Sequence, residues 1–343
     1  MKLDLTLRAL FLVVNQMPKP RTFLYDTFFN DRETTDKEEV LIEFKNGRRF
    51  MAPFVSRYID GQEMPKEKFT GRLFKTVKIA PKKTFSANEL TFERMAGENP
   101  FATDPEMKKA KAIAETLSEQ TEQISRTREM MAAEVLYNLT LTVKGEGISD
   151  KIEYFDKQEK EHITNVAVAW DQKNSDPIKD INTLLRKITE EGGTRPSAII
   201  LDPKASDLFQ NNDKVKEIMN LRNFYVGQVK PETENVEGVI YIGTLSSLGL
   251  DIYEYQEYYD YVDDDDELMK TKSLIPEYTA LLVPKGNKVK FGAESTIKDG
   301  MLEGELIPRI FEDEKNDTVE IRTISKPVLI PINTKSIKVL KVK

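Results

Sequence analysis

The chain has 343 residues, more than one hydrophobic core usually fills, so two compact bodies are expected. Its 51 Lys plus Arg against 58 Asp plus Glu leave a net charge of −7, which argues against a wrapper of nucleic acid, because neutralising phosphates needs clustered cations in excess. The absence of cysteine excludes disulfide staples, thiolate metal sites and thiol catalysis.

The N-terminal "MKLDLTLRALFLVVNQM" superficially resembles a signal peptide. Its apolar run from Ala9 to Val14 is short, Asp4 and Arg8 sit close by, and no small-residue cleavage site follows. No stretch approaches the roughly 20 apolar residues of a membrane span, so a soluble chain is expected. Residues 1–38 then read as an amphipathic segment, a proline break at "MPKPR" (17–21), and "TFLYDTFF". Phe23, Leu24, Phe28 and Phe29 are a heavy apolar load for so irregular a segment; they dock either on this chain's own core or on a neighbour's.

Residues 39–84 are strand-like. Alternation is visible in Val40, Ile42 and Phe44 and again in Leu73, Val77 and Ile79. Between these arms "NGRR" marks a turn and "DGQEMPKEKFTG" a long polar connection. A loop of that length inside a compact domain is uncommon, and is usually functional or disordered. Residues 104–139 form the clearest element, a helix with Thr103 or Asp104 as N-cap and Pro105 in its first turn. Its apolar stripe (Ile113, Leu117, Ile124, Met131, Val135, Leu139) is narrow, which predicts a half-buried strut lying on a sheet. The register lapses at Gln120, Thr121 and Arg128, against a coiled coil.

A second body is expected from about Ile163. It holds a helix closed by a Gly pair ("DPIKDINTLLRKITEEGG"), a short apolar strand ("PSAIILDP", 196–203) and two helical segments broken at Asn211–Asn212. Strands follow at "GVIYIG" (238–243), "LDIYEYQEYYDYV" (250–262) and "YTALLVP" (278–284). Residues 305–343 return to strand patterning and carry no carboxylate after Glu320. Arg322, Lys326, Lys335, Lys338, Lys341 and Lys343 there are read either as a charged edge strand or as a polyanion contact.

Chemistry-bearing patterns are sparse. His162, beside Glu159 and Glu161, could serve as a general base in a carboxylate-dependent hydrolase, but reads rather as a solvated or structural histidine; it lacks a second metal ligand at helical spacing. The acidic run Asp263–Glu267 lacks the alternation and glycine of a calcium loop. Phosphate-cradle spacings and a nucleophile elbow are missing too, so no catalytic, cofactor or metal site is expected and the chain is read as a non-enzyme.

The order of the parts carries a resemblance. "PRTFLYDTFF" (20–29) looks like an N-terminal arm, and "GRRFMAPFVS" (47–56) with "RLFKTVKIAPKK" (72–83) like the two arms of an extended loop. "RMAGENPF" (94–101) leads into a spine helix that runs on through "MMAAEVLYNLTLTVKGEG". "AWDQKNSDPIKDI", "AIILDPKASDLF", "LIPEYTALLVP" and "SKPVLIPINTKSIKVLKV" look like the opening of an axial domain and the later strands. Together they resemble the lambda-like phage major capsid protein family (major capsid protein E), over nearly the whole chain. An acidic, glycine-free connection before "SLIPEY" departs from that pattern.

The resemblance implies an α+β, Hong Kong ninety-seven-like shell fold. Its parts would be an N-terminal arm (1–38), an extended β-hairpin loop (39–84), a peripheral domain (85–162) around a spine helix (104–139), an α/β axial domain (163–304), and C-terminal strands returning to the peripheral domain (305–343). It implies a major head protein of a tailed bacteriophage, assembled in the host cytoplasm and resident in the virion capsid. Pentamers and hexamers would enclose double-stranded DNA, with scaffold, portal and cement proteins as partners and no cofactor or membrane. Inter-subunit contacts would fall on Phe23, Leu24, Phe28 and Phe29 of the arm and on Arg48, Arg49, Phe50, Met51, Phe54, Leu73, Val77 and Ile79 of the loop. Lys66 and Lys68 at the loop tip are not read as crosslinkers. A cellular nanocompartment shell is the alternative of the same architecture.

Overall fold

A computed structural model describes residues 7–17, 20, 22–45, 69–86, 89, 105–145, 147–154, 162–221, 236, 238–245, 247–262, 269–313 and 315–343. Its helices are α1 (Leu7–Gln16), α2 (Leu24–Phe28), α3 (Pro105–Asn138), α4 (Pro177–Glu190), α5 (Pro203–Asn211) and α6 (Asp213–Leu221). The first half of the chain supplies strands β1 (Asp31–Thr34), β2 (Glu39–Lys45), β3 (Phe69–Lys75), β4 (Lys82–Ser86), β5 (Thr140–Gly145) and β6 (Ile148–Glu153). Strands β7 (Ile163–Asn165), β8 (Ala198–Leu201), β9 (Val239–Leu245), β10 (Leu250–Tyr255), β11 (Tyr258–Val262), β12 (Met269–Ser273) and β13 (Thr279–Val283) follow. The last stretch contributes β14 (Lys288–Phe291), β15 (Glu294–Thr296), β16 (Gly300–Leu302), β17 (Ile307–Asp313), β18 (Thr318–Ile324), β19 (Pro327–Ile330) and β20 (Lys338–Lys341).

The spine helix α3 runs 34 residues, about 50 Å at 1.5 Å per residue. Its first half lies on the sheet β17-β18-β4, where Ile113, Leu117 and Ile124 meet Ile321 and Phe85. Helix α1 adds Leu10 and Val14 to that cluster. Of the three buried polar residues that interrupt the apolar stripe, Thr121 bonds back to the Leu117 carbonyl (2.7 Å), while Gln120 and Arg128 are fastened to β18 and to the residues flanking β17 and β18. Gln120 donates through Nε2 to the Ile321 carbonyl (2.9 Å) and accepts from the Thr323 hydroxyl (2.7 Å). Arg128 donates to the Glu305 carbonyl (2.6 Å) and to Ser325 Oγ (2.8 Å). A buried polar group is tolerated only when so paired, which makes each of these a register pin between helix and sheet.

The second half of α3 enters the main core with Met131, Val135 and Leu136 and meets one face of a six-stranded mixed sheet, ordered β7-β20-β13-β8-β10-β9. Period-two alternation divides that sheet. Ala198, Ile200, Tyr253, Leu281 and Val339 face the spine, while Ile199, Leu201, Ile252, Leu282 and Leu340 face α4 and α5. Burial on both faces explains why β8 and β13 read as unbroken apolar runs. Helix α4 starts with Asp176 accepting from Lys179 N–H (3.0 Å) and Pro177 in the first turn. It ends in a Schellman closure: Gly193 N–H donates to the Ile188 carbonyl and Gly192, at φ 80°, donates to Thr189. Helices α5 and α6 are separated at Asn212, as the sequence predicts.

Residues 305–343, expected as strands returning to the peripheral domain, are divided among three sheets: β17 and β18 pair beside β4, β19 pairs with β14, and β20 lies inside the six-stranded sheet between β7 and β13. Two of the basic residues there are no edge decoration, whereas Lys341 and Lys343 are exposed. Lys338 on β20 is buried and donates to Glu191 (2.8 Å), and Lys326 is buried against Glu294 (2.6 Å). An ammonium survives such burial only beside a carboxylate, and both cations have one.

Candidate assembly surfaces

The N-terminal segment makes its contacts at home. Phe23, Leu24, Phe28 and Phe29 are completely buried in the main core. The Phe23 ring meets Phe28 edge-on at 5.7 Å and lies 5.1 Å from Tyr253 and 5.5 Å from Tyr255 of β10. Within the single chain α2 fills the angle between spine helix and sheet, and these four side chains are covered by the chain's own residues. The segment is latched by Glu129 on the spine, which accepts from Leu24 N–H (2.7 Å), Tyr25 N–H (2.8 Å) and the Tyr255 hydroxyl (2.7 Å). Burial raises the Glu129 carboxyl to about 7 despite those donors, with Glu257 adding a second negative charge nearby. Tyr25, whose hydroxyl burial pushes up to about 12, sits between two guanidiniums, Arg32 at 4.8 Å and Arg128 at 5.7 Å from its ring.

The extended loop begins as a regular antiparallel ladder from Glu39↔Lys75 to Lys45↔Phe69, with Leu73 opposite Leu41. At its root Val40 packs on Val328 and Ile330, and Phe74 stacks on Tyr154 at 5.9 Å. Val77 and Ile79 are half-buried against the chain's own core, so they too serve the root of the arm more than its reach. Arg48, Arg49, Phe50, Met51, Phe54, Lys66 and Lys68 lie outside the described residues. So do Glu159, Glu161 and the acidic run Asp263–Glu267, which connects the paired strands β11 and β12.

His162 is a structural pin. Its Nε2 lies 3.3 Å from the Tyr137 carbonyl at the end of the spine, its own carbonyl accepts from Val339 N–H of β20 (2.8 Å), and burial lowers the imidazole's proton affinity. Among the described residues no group of three His, Asp or Glu is placed to hold a metal ion, and no helix is long and apolar enough to cross a membrane.

The chain that folds this way, with a paired arm rooted on the body beside a long helix and a mixed sheet, is matched by one family model, phage major capsid protein E, over residues 6–342. The chain belongs to that family. Two curated relatives, the P21 prophage-derived major head protein of Escherichia coli O6:H1 and the major capsid protein of Enterobacteria phage P21, are each 26% identical over 183 residues. The alignment takes in 52% of this chain and 53% of theirs, so the chain spans about half the length of the curated relatives it matches. Among solved structures, the protein assigned as capsid protein of an Escherichia coli CFT073 prophage superposes with a TM-score of 0.73 at 19% identity, covering 100% of both chains. The capsid of cyanophage A-1(L) gives 0.51 at 13% identity, covering 96% of this chain and 95% of that one. At such identities the likeness carries the fold, which is the α+β Hong Kong ninety-seven-like shell fold.

In this capsid-family chain, apolar side chains outside the named set are left in water. Leu12 and Val13 face outward from α1, Ile240 stands on the edge strand β9, and the β15–β16 hairpin holds up a fully exposed Ile297 with Met301 beside it. That hairpin has a three-residue loop, 297–299, followed by Gly300 at φ 73°, a left-handed conformation that glycine adopts without a Cβ penalty. The signal was present as "TIKDGM", an Asp-Gly turn between short strands.

Proposed function

We propose that this chain is the major head protein of a tailed bacteriophage, a structural protein whose copies form the pentamers and hexamers of an icosahedral shell around double-stranded DNA. Family membership over residues 6–342 carries the reading, and the β2–β3 arm supports it, because an arm rooted on the body and paired away from it needs something to lie on. Within such a shell the six-stranded body serves as axial domain and the spine with β17-β18-β4 as peripheral domain. The arm crosses the adjacent copy of the same capsomer. Burying apolar surface is worth about 25 cal/mol per Å² before association costs, so a weak single contact repeated by symmetry suffices.

The net charge of −7 per copy keeps a wall of many copies from adhering to the packaged genome. Scaffold, portal and cement proteins are the expected partners, the host cytoplasm the place of assembly and the virion capsid the final location. Electron microscopy of the expressed full-length chain tests the reading: closed shells, or capsomers that close when a scaffold is supplied, are expected. A compact single copy at high concentration would overturn it, and shells filled with protein cargo in the native host would replace it with the nanocompartment.

A further inference from the structure

The β2–β3 arm joins the body through two leads, residues 35–38 and 76–79, and both are tied to the stretch from Phe291 to Glu294. On the outgoing side Thr35 N–H donates to the Phe291 carbonyl (2.9 Å) and Ala293 N–H to the Lys37 carbonyl (3.2 Å). On the returning side Thr76 donates through its N–H (3.3 Å) and its hydroxyl (2.9 Å) to the Glu38 carbonyl. Ile79 then exchanges backbone bonds of 2.8 and 2.9 Å with Ser325. Gly292 lies hard against Thr76: a Cβ added there would sit 2.5 Å from Thr76 Cγ2.

Next to that contact the Glu294 carboxylate takes two ammonium groups, Lys78 from the returning lead at 2.5 Å and Lys326 from the β18–β19 junction at 2.6 Å. Lys326 also donates to the Ala293 carbonyl at 3.0 Å. The Glu294 and Lys326 side chains are 12% and 9% exposed, whereas Lys78 is 42% exposed. A nearly dry ion pair is a poor source of stability, since apolar groups of the same volume would hold the body as well. What it supplies is direction: Lys326 occupies one carboxylate oxygen, and the other receives its ammonium only when the returning lead brings Lys78 down at one place.

We propose that Glu294, held between Lys78 and Lys326 beside the Gly292–Thr76 contact, is a positioning residue that fixes the angle at which the β2–β3 arm leaves the body and hence the curvature at which neighbouring copies join. The curvature rests on the shell reading above; the angle is a property of one chain.

The chain contains no cysteine, so a pair introduced as Glu43→Cys on β2 and Asp207→Cys on α5 can be spin-labelled without background. In the unassembled full-length subunit the parent should give one narrow distance distribution. Lys78→Gln and Glu294→Gln should broaden or displace it, and Glu294→Asp should restore it. Gly292→Ala should displace it by wedging Thr76, and adding Thr76→Ala should bring it back. In the unlabelled chain the same single substitutions should cut the yield of closed shells of parental diameter several-fold, in favour of open sheets and tubes. Distributions of Lys78→Gln and Gly292→Ala that superimpose on the parent overturn the proposal, even if Glu294→Gln fails to fold. Displaced distributions with unchanged shells overturn the link to curvature. A parent that never assembles would instead overturn the shell reading, leaving the distance distributions to judge the angle.

Discussion

Phe23 has aromatic neighbours on several sides and no solvent, so its removal is felt within one chain. Phe23→Ala should lower the unfolding free energy of the isolated subunit by about 3–5 kcal/mol. Thermal melting of unassembled protein checks this, and an unchanged midpoint would put Phe23 back at an interface. Glu129 gives a prediction with a sign. Its carboxyl holds a proton to about pH 7 in the folded chain against an ordinary 4.5, so proton uptake favours folding. The contribution is whole below 4.5 and lost as pH rises through about 7, a change on the order of 3 kcal/mol. Urea titrations should therefore find the parent less stable at about pH 8 than at about pH 5, and Glu129→Gln should flatten that slope. Glu294 acts in the opposite sense: burial would raise its carboxyl, but Lys326 and Lys78 outweigh it and hold it low, so its contribution is lost only when pH falls below the ordinary carboxylate range.

Among elements, the spine helix was legible almost to the residue, expected over 104–139 and found over Pro105–Asn138, because proline and a long apolar stripe mark it locally. What the stripe did not disclose is that its lapses point inward. Gln120 and Arg128 look like surface residues until the strands that satisfy them are in place, and those strands lie far along the chain. The four apolar residues of the N-terminal segment were half readable for the same reason: docking on this chain's own core or a neighbour's could be read, while the partners Tyr253 and Tyr255 of β10 could not. The Gly pair after α4 and the break at Asn212 were readable because turn chemistry is local. The Gln120–Thr323 pin predicts coupling. Gln120→Leu and Thr323→Val should each cost about 1–3 kcal/mol, and the double variant less than their sum, because the second change removes a donor the first had orphaned. A double-mutant cycle by chemical denaturation measures it; strict additivity would mean the two side chains do not interact.

For the whole molecule, the exposed hairpins separate stability from assembly. Ile297 touches water on every side, so Ile297→Asp should leave the melting of the isolated subunit within about 0.5 kcal/mol of the parent. Shell yield should fall all the same, measured by sedimentation of assembled material, and full yield would show that this tip meets nothing in the particle. The fold class could be read from the order of parts, and the contact residues only in part, because a sequence does not distinguish an apolar residue that fills its own core from one that waits for a partner.

The placement of β20 between β7 and β13 has a consequence in time. While the chain is being made on the ribosome, β13 has one flank uncovered and β7 has nothing to pair with until residues 338–341 emerge from the exit tunnel. Closure of this sheet therefore joins residues 163–165 to residues 338–341 and waits on every strand made between them, a long-range step of the kind that slows folding.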